Sequence, residues 1–149
     1  MEEIDVGKLA LTQEYINGLL HMASSCSGWI GRSEITAVCY SASAFQTEFA
    51  AEYDLSPEAL ALIKEPISFR QELARWIGGQ EAKITEGLYW LFLHRLGDPL
   101  QVLRLEKEES LISGFGWGEG GKGPYYFVED LFFVQFKDVY VCLFLGNNE

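Results

Sequence analysis

From Lys8 to Ala23, apolar residues recur at Leu11, Tyr15, Leu19 and Met22 and, one position on, at Ile16, Leu20 and Ala23. Steps of three and four predict a helix with one broad apolar stripe, leaving Glu14 and Asn17 for water. The small polar run Ser24 to Gly28 ends it. Glu34 to Tyr40 is short and β-branched; it fits a strand or a buried helical turn, and strand is the reading adopted. Ser43, with Gln46 three residues later, has the form of a capping box. The helix it opens carries Phe45, Phe49 and Tyr53 on one face and Glu48 and Glu52 on another. Ser56-Pro57 predicts a further short helix, closed by Pro66. Ser68 and Gln71 repeat the capping-box form ahead of Phe69, Leu73, Trp76 and Ile77, and Gly78-Gly79 stops that helix. A longer helix from about Glu81 to Leu96 turns Ile84, Leu88, Leu91, Phe92 and Leu96 inward, until Gly97-Asp98-Pro99 breaks it.

After Pro99 the period changes from 3.6 to 2. Gln101 to Glu106 alternates around Leu103 and Leu105, and Leu111-Ile112 begins another extended piece. Tyr125 to Phe136 and Val139 to Leu145 read as strands joined at Lys137-Asp138, an antiparallel hairpin. Strict alternation puts Phe127, Leu131 and Phe133 on one face with Glu129 and Gln135. Val128, Phe132, Val134 and Phe136 then share the other face with Asp130. The second strand is apolar on both sides, Val139, Val141, Leu143 and Leu145 against Tyr140, Cys142 and Phe144. A sheet with one wet face should alternate apolar with polar, and this one does not. Either helices cover both faces, or a second copy covers one, a homodimer through the sheet. The expected fold is therefore α+β: N-terminal helices packed on a C-terminal antiparallel sheet of three or four strands containing the hairpin. No linker or internal repeat divides residues 1–149, so a single domain is expected.

Composition narrows the function classes. Apolar residues make up 48% and aromatics 14% of the 149 residues, enough for a core without disulfides or metals. The 22 acids against 11 bases give a formal charge of −11, a field that repels nucleic acid and anionic membrane and favours a basic protein or a cation. Cys26, Cys39 and Cys142 are odd in number and widely spaced, so neither a disulfide scaffold nor a structural metal is expected, nor any cofactor. The start Met1-Glu2-Glu3-Ile4-Asp5 is the reverse of a signal peptide's charged end, and no apolar run nears the ~20 residues that span a bilayer. A reducing cytoplasm is the expected location.

Four places invite a chemical reading. The loop Gly114 to Pro124 is rich in glycine, but it runs into a proline and an aromatic strand rather than a helix, and Lys122 is followed by Gly123, so the phosphate-binding pattern fails. It reads as a mobile hairpin connection or as a recognition loop built on Trp117 and Glu119. Ser25-Cys26-Ser27-Gly28-Trp29 resembles the Cys-Ser-Gly-aromatic motif of the NlpC/P60 cell-wall cysteine peptidases. That resemblance implies a Cys26 thiolate paired with a histidine. The family has an aspartate where Ser25 stands and a histidine in a glycine-flanked strand, whereas His94 falls in a predicted helix. His21 and His94 themselves read as satisfied, partly buried helix residues. Asp130, among apolar neighbours, is either a functional acid or a carboxylate satisfied by an arginine such as Arg95 or Arg104, and the second reading is favoured.

The clearest charge asymmetry lies between Arg32 and Lys64. That stretch has no basic residue but holds Glu34, Glu48, Glu52, Asp54 and Glu58. The expectation is a non-enzymatic acidic binding protein, an inhibitor or immunity-type partner of a basic protein. Glu48, Glu52, Asp54, Glu58, Trp117 and Glu119 would carry its contacts. The alternatives are a module that takes an apolar ligand among its aromatics, Trp76, Trp90 and Phe92 included, and a Cys26-dependent thiol enzyme.

Overall fold

A computed structural model of the chain describes residues 5–27, 34–53, 55–56, 60–77, 82–105, 125 and 127–147. The fold is α+β: the described residues form four helices and a five-stranded antiparallel sheet. In chain order these are α1 (Val6–Ser27), β1 (Glu34–Ser41), α2 (Phe45–Glu52), β2 (Leu62–Lys64), α3 (Phe69–Ile77), α4 (Ala82–Leu96), β3 (Gln101–Leu105), β4 (Phe127–Gln135) and β5 (Val139–Asn147). The sheet order is β1-β5-β4-β3-β2. The C-terminal hairpin is its centre, with Gln135 opposite Tyr140 and the turn closed by the Phe136 N–H donating to the Val139 carbonyl at 2.8 Å. The sheet is wider than the sequence pattern suggests because the N-terminal region supplies both edge strands.

β2 is the departure from the expected helix between Ser56 and Pro66. The Leu60 N–H bonds the Ser56 carbonyl at 3.1 Å, and from Leu62 the chain extends along β3. A three-residue strand leaves almost no periodicity to read, so its pairing comes from the neighbour. The two capping boxes also part company. Ser68 and Gln71 cap α3 reciprocally, Gln71 N–H to Ser68 Oγ at 3.2 Å and Ser68 N–H to Gln71 Oε1 at 2.9 Å. α2 instead starts after Ala44 with no side-chain cap, because the Ser43 hydroxyl is engaged with that of Ser41 at 3.0 Å. Gly97, at φ +83°, ends α4 in the left-handed conformation that glycine adopts without a Cβ clash, and its N–H caps the Leu93 carbonyl at 2.8 Å.

Both faces of the sheet are covered by the chain itself. Over one face lie α1, α3 and α4, packing Ile16, Leu20, Phe69, Leu73, Trp76, Leu88 and Phe92 on Ala37, Val102, Phe132, Val134 and Val141. Over the other, α2 and Leu60 pack Phe45 and Phe49 on Tyr40, Leu103, Leu131, Phe133, Cys142 and Phe144, with Tyr125 at the margin. The doubly apolar β5 thus has a cover on each side within one chain. In β4 a bulge between Val128 and Asp130 inserts one residue and shifts the alternation. Val128 consequently packs with Leu131 and Phe133, on the face opposite the one that strict alternation assigns it.

α1 differs in detail from its expected stripe. Ile16 and Leu20 are buried, Tyr15 and Leu19 half-buried, and Leu11 and Met22 exposed. Asn17 is not left to water. Its carboxamide donates to the Ala37 carbonyl at 2.9 Å and accepts from the Ala37 N–H at 2.7 Å, while Gln13 Oε1 accepts from the Cys39 N–H at 2.9 Å. These amides satisfy backbone groups along the outer edge of β1, which would otherwise invite a foreign strand.

Candidate functional site

α2 is a platform for acidic side chains. Phe45 stacks on Tyr140 with ring centroids 4.3 Å apart, and Phe49 meets Phe133 edge-on at 5.0 Å and Tyr53 at 4.8 Å. Those rings fix one face of the helix, so Glu48 and Glu52, one turn apart, are held on its exposed surface. Neither carboxylate has an ion-pair partner among the described residues. Glu48 in the first turn suits the helix dipole. Glu52 in the last turn opposes it, and like charges four apart repel, each effect costing a few tenths of a kcal/mol to about 1. Buried beneath them, the Tyr40 phenol is pushed far above its ordinary range by desolvation first, with the nearby Glu52 and Glu48 charges adding to the shift. The other proposed contacts, Asp54, Glu58, Trp117 and Glu119, lie outside the described residues, as does Leu111-Ile112.

A second cluster of charged groups lies across the sheet, between α3, β3 and β4. Arg104 is its hub. Its Nη1 donates to Asp130 Oδ1 at 2.7 Å and to the Leu131 carbonyl at 3.0 Å, its Nη2 to Glu72 Oε2 at 3.1 Å, and its Nε lies 3.6 Å from Glu65 Oε1. Arg75 Nη2 closes the ring, 2.8 Å from Glu72 Oε2 and 3.0 Å from Asp130 Oδ2, which also accepts from Trp76 Nε1 at 3.0 Å. Glu72 is 1% exposed and Arg75 50%, so the network runs from the interior to solvent. Burial alone would lower the Arg75 guanidinium, but its bonds to Glu72 and Asp130 outweigh that and raise it. Asp130 is thus satisfied by arginine, through Arg104 and Arg75, while Arg95 lies over the Tyr15 ring instead. Sequence reasoning missed Glu72, Arg75 and Glu65. The signal was a carboxylate next to the Phe69, Leu73 and Trp76 stripe, a place that demands a cationic partner. With every carboxylate engaged by guanidinium, the cluster is suited to fixing α3 on the sheet.

The remaining candidates separate. Cys26 falls in the last turn of α1, not at a helix start. Cys39 and Cys142 are buried on opposite faces of the sheet, free of disulfide; burial pushes the Cys39 thiol up to about 12 and the Cys142 thiol upward too, so both are inert. His21 and His94 are exposed rather than partly buried, because the helix faces carrying them point away from the core. Trp76 and Phe92 pack into the core against Phe132 and Phe69, while Trp90 is exposed. A cleft of about 260 Å³ lies between Lys64–Gln71 and Pro99–Val102, at the start of α3. Among the described residues no group of three or more His, Cys, Asp or Glu is placed to hold a metal ion, and no helix is long and apolar enough to cross a membrane. Comparison with protein-family models, with curated proteins and with solved structures found no match.

Proposed function

We propose that the protein is a non-enzymatic acidic binding protein whose α2 surface docks a basic protein, in the manner of an inhibitor or immunity-type partner. The observation that carries this reading is the pair Glu48 and Glu52. They are exposed, unpaired among the described residues and repel one another, with Glu52 also opposing the helix dipole, yet they are held on an aromatic base. Local rules broken without compensation among the described residues are expected where a partner supplies the compensation. The surrounding stretch from Glu34 to Glu58 has no cation, so an approaching Lys- or Arg-rich surface meets a field of one sign. Such complementarity sets association rate and specificity more than final affinity, and it weakens as salt shortens the Debye length.

The test is affinity capture from source-organism lysate with the wild type and the Glu48→Lys/Glu52→Lys variant as baits, at low and high salt, read by mass spectrometry. A basic protein retained by the wild type, released by salt and lost from the variant is the expected result. Equal retention by the variant removes α2 from the reading. No enriched basic protein on the wild-type bait at either salt ends the basic-partner reading altogether.

A further inference from the structure

We infer that Asn17 is a modification site: it deamidates when the middle of α1 opens, and the product unseals the outer edge of β1. The chain has asparagine at positions 17, 147 and 148, and of these Asn17 alone is followed by glycine. A side-chain amide is open to attack by the backbone nitrogen of the next residue, and glycine hinders that nitrogen least because it has no Cβ. The Gly18 nitrogen, giving up its proton to base, bonds to the Asn17 side-chain carbonyl carbon. The bond to the side-chain nitrogen breaks, and that nitrogen takes up a proton and leaves as ammonia. Water then opens the resulting succinimide at either carbonyl. The products are aspartate and, where the backbone is rerouted through the side chain, isoaspartate.

The helix gates this reaction. Gly18 lies inside α1, so its N–H belongs to the helical ladder, and the Asn17 carboxamide is turned to Ala37. The ring cannot close until that turn opens. Among the described residues nothing packs against Gly18: a Cβ there would meet nothing within 4 Å, and alanine would favour the helix.

What deamidation removes is the match between α1 and β1. The Ala42 N–H bonds the Asp138 carbonyl at 3.0 Å, so the even residues of β1 face β5, and Ala37 and Cys39 face outward. Gln13 and Asn17, one helical turn apart at about 6 Å, meet Cys39 and Ala37, two strand residues apart at about 6.6 Å. α1 thus runs antiparallel to β1 and stands in for a sixth strand. Asn17 suits the role because a carboxamide both donates and accepts, to the Ala37 carbonyl at 2.9 Å and from the Ala37 N–H at 2.7 Å. Ionised aspartate has no donor, so one of its oxygens would face the Ala37 carbonyl, acceptor against acceptor. Isoaspartate inserts a backbone methylene in mid-helix, so Gln13 and Ile16 lose register with Leu20. Either product strips outward backbone groups of β1 of their cover and leaves an edge that takes up another strand.

The test holds the full chain for weeks at mildly alkaline pH, as wild type and as Gly18→Ala, each folded and in denaturing urea. Peptide mass mapping with isoaspartate-specific methylation follows position 17. The expected result is conversion in the folded wild type, slower than in urea. Gly18→Ala, whose methyl group enters open space, should slow it roughly tenfold or more in both states. Converted chains carry one further negative charge and separate by anion exchange; Asn17→Asp supplies the aspartate product directly. In both, the Ala37 and Cys39 amides should exchange hydrogen roughly tenfold faster than in the unmodified chain. Asn17 intact in the folded wild type, conversion as fast folded as in urea, a Gly18→Ala rate equal to wild type, or unchanged exchange at Ala37 and Cys39 overturns the proposal.

Discussion

On one face of the sheet three helices bury an aliphatic and aromatic core whose margin is a ring of guanidiniums and carboxylates. On the other face, among the described residues, one eight-residue helix and a few loop residues do the same job with aromatic rings. Both leave the strands between them dry: Phe132 and Val134 on the first side and Leu131 and Phe133 on the second are all fully buried. The difference lies in how each cover is held. α3 is tied down by directional, charged bonds that demand fixed geometry, Arg104 to Glu72 and Asp130 above all. α2 is too short to be stable alone, and its place depends on the packing of Phe45 and Phe49. A short helix anchored by rings is free to carry unfavourable charge outside, because its own electrostatics contribute little to keeping it in place.

The largest effect is expected on the charged side. Arg104→Ala leaves Glu72 buried with only the half-exposed Arg75 as counter-charge and should cost about 3–5 kcal/mol in urea unfolding. A loss below 1 kcal/mol would mean that the network contributes little to holding α3. On the aromatic side Phe49→Ala should cost a similar ~3–5 kcal/mol by transfer and cavity terms, with amide exchange rising in α2 well before α3. Equal exchange in both helices would erase the distinction drawn between the two covers. Alkaline pH acts on both faces at once. Cys39, from its ordinary 9.0 up to about 12, and Tyr125, from 10.0 up to about 12, hold their protons in the folded state after the unfolded chain has lost them. The unfolded state then binds fewer protons, so stability is full below about pH 9 and falls as pH rises toward 12, by up to ~1.4 kcal/mol per unit for each fully shifted group. Cys39→Val should flatten that slope between pH 9 and 11, and an unchanged slope would exonerate the thiol. The smallest contrast concerns the caps: Ser68→Ala should cost ~1 kcal/mol and Ser43→Ala less than ~0.5, read as a difference in thermal midpoints.

Much of the fold was legible from period alone. The β4–β5 hairpin, the α3 capping box and the Gly97 stop were each written in a few adjacent residues whose conformational preferences agree with one another. The exposure of Glu48 and Glu52 was legible in the same way, because it follows from Phe45 and Phe49 by helical geometry. The network was not. Glu72, Arg104 and Asp130 are 32 and 26 residues apart in sequence and meet only because α3 crosses β3 and β4.

The sequence by itself determined the class of fold, the C-terminal hairpin, the apolarity of both faces of β5 and the acidic face of α2. These depend on periods of 2 and 3.6 and on local turn and cap chemistry, which act over a few residues. Tertiary structure alone decided that β1 and β2 become the edges, that a bulge turns Val128 to the other face, that Asn17 seals the edge of β1 and that Arg104 gathers three carboxylates. Each of those depends on a partner distant in the chain. The energy of such a contact, a paired backbone amide or a buried charge neutralised, exists only once the two segments have been brought together.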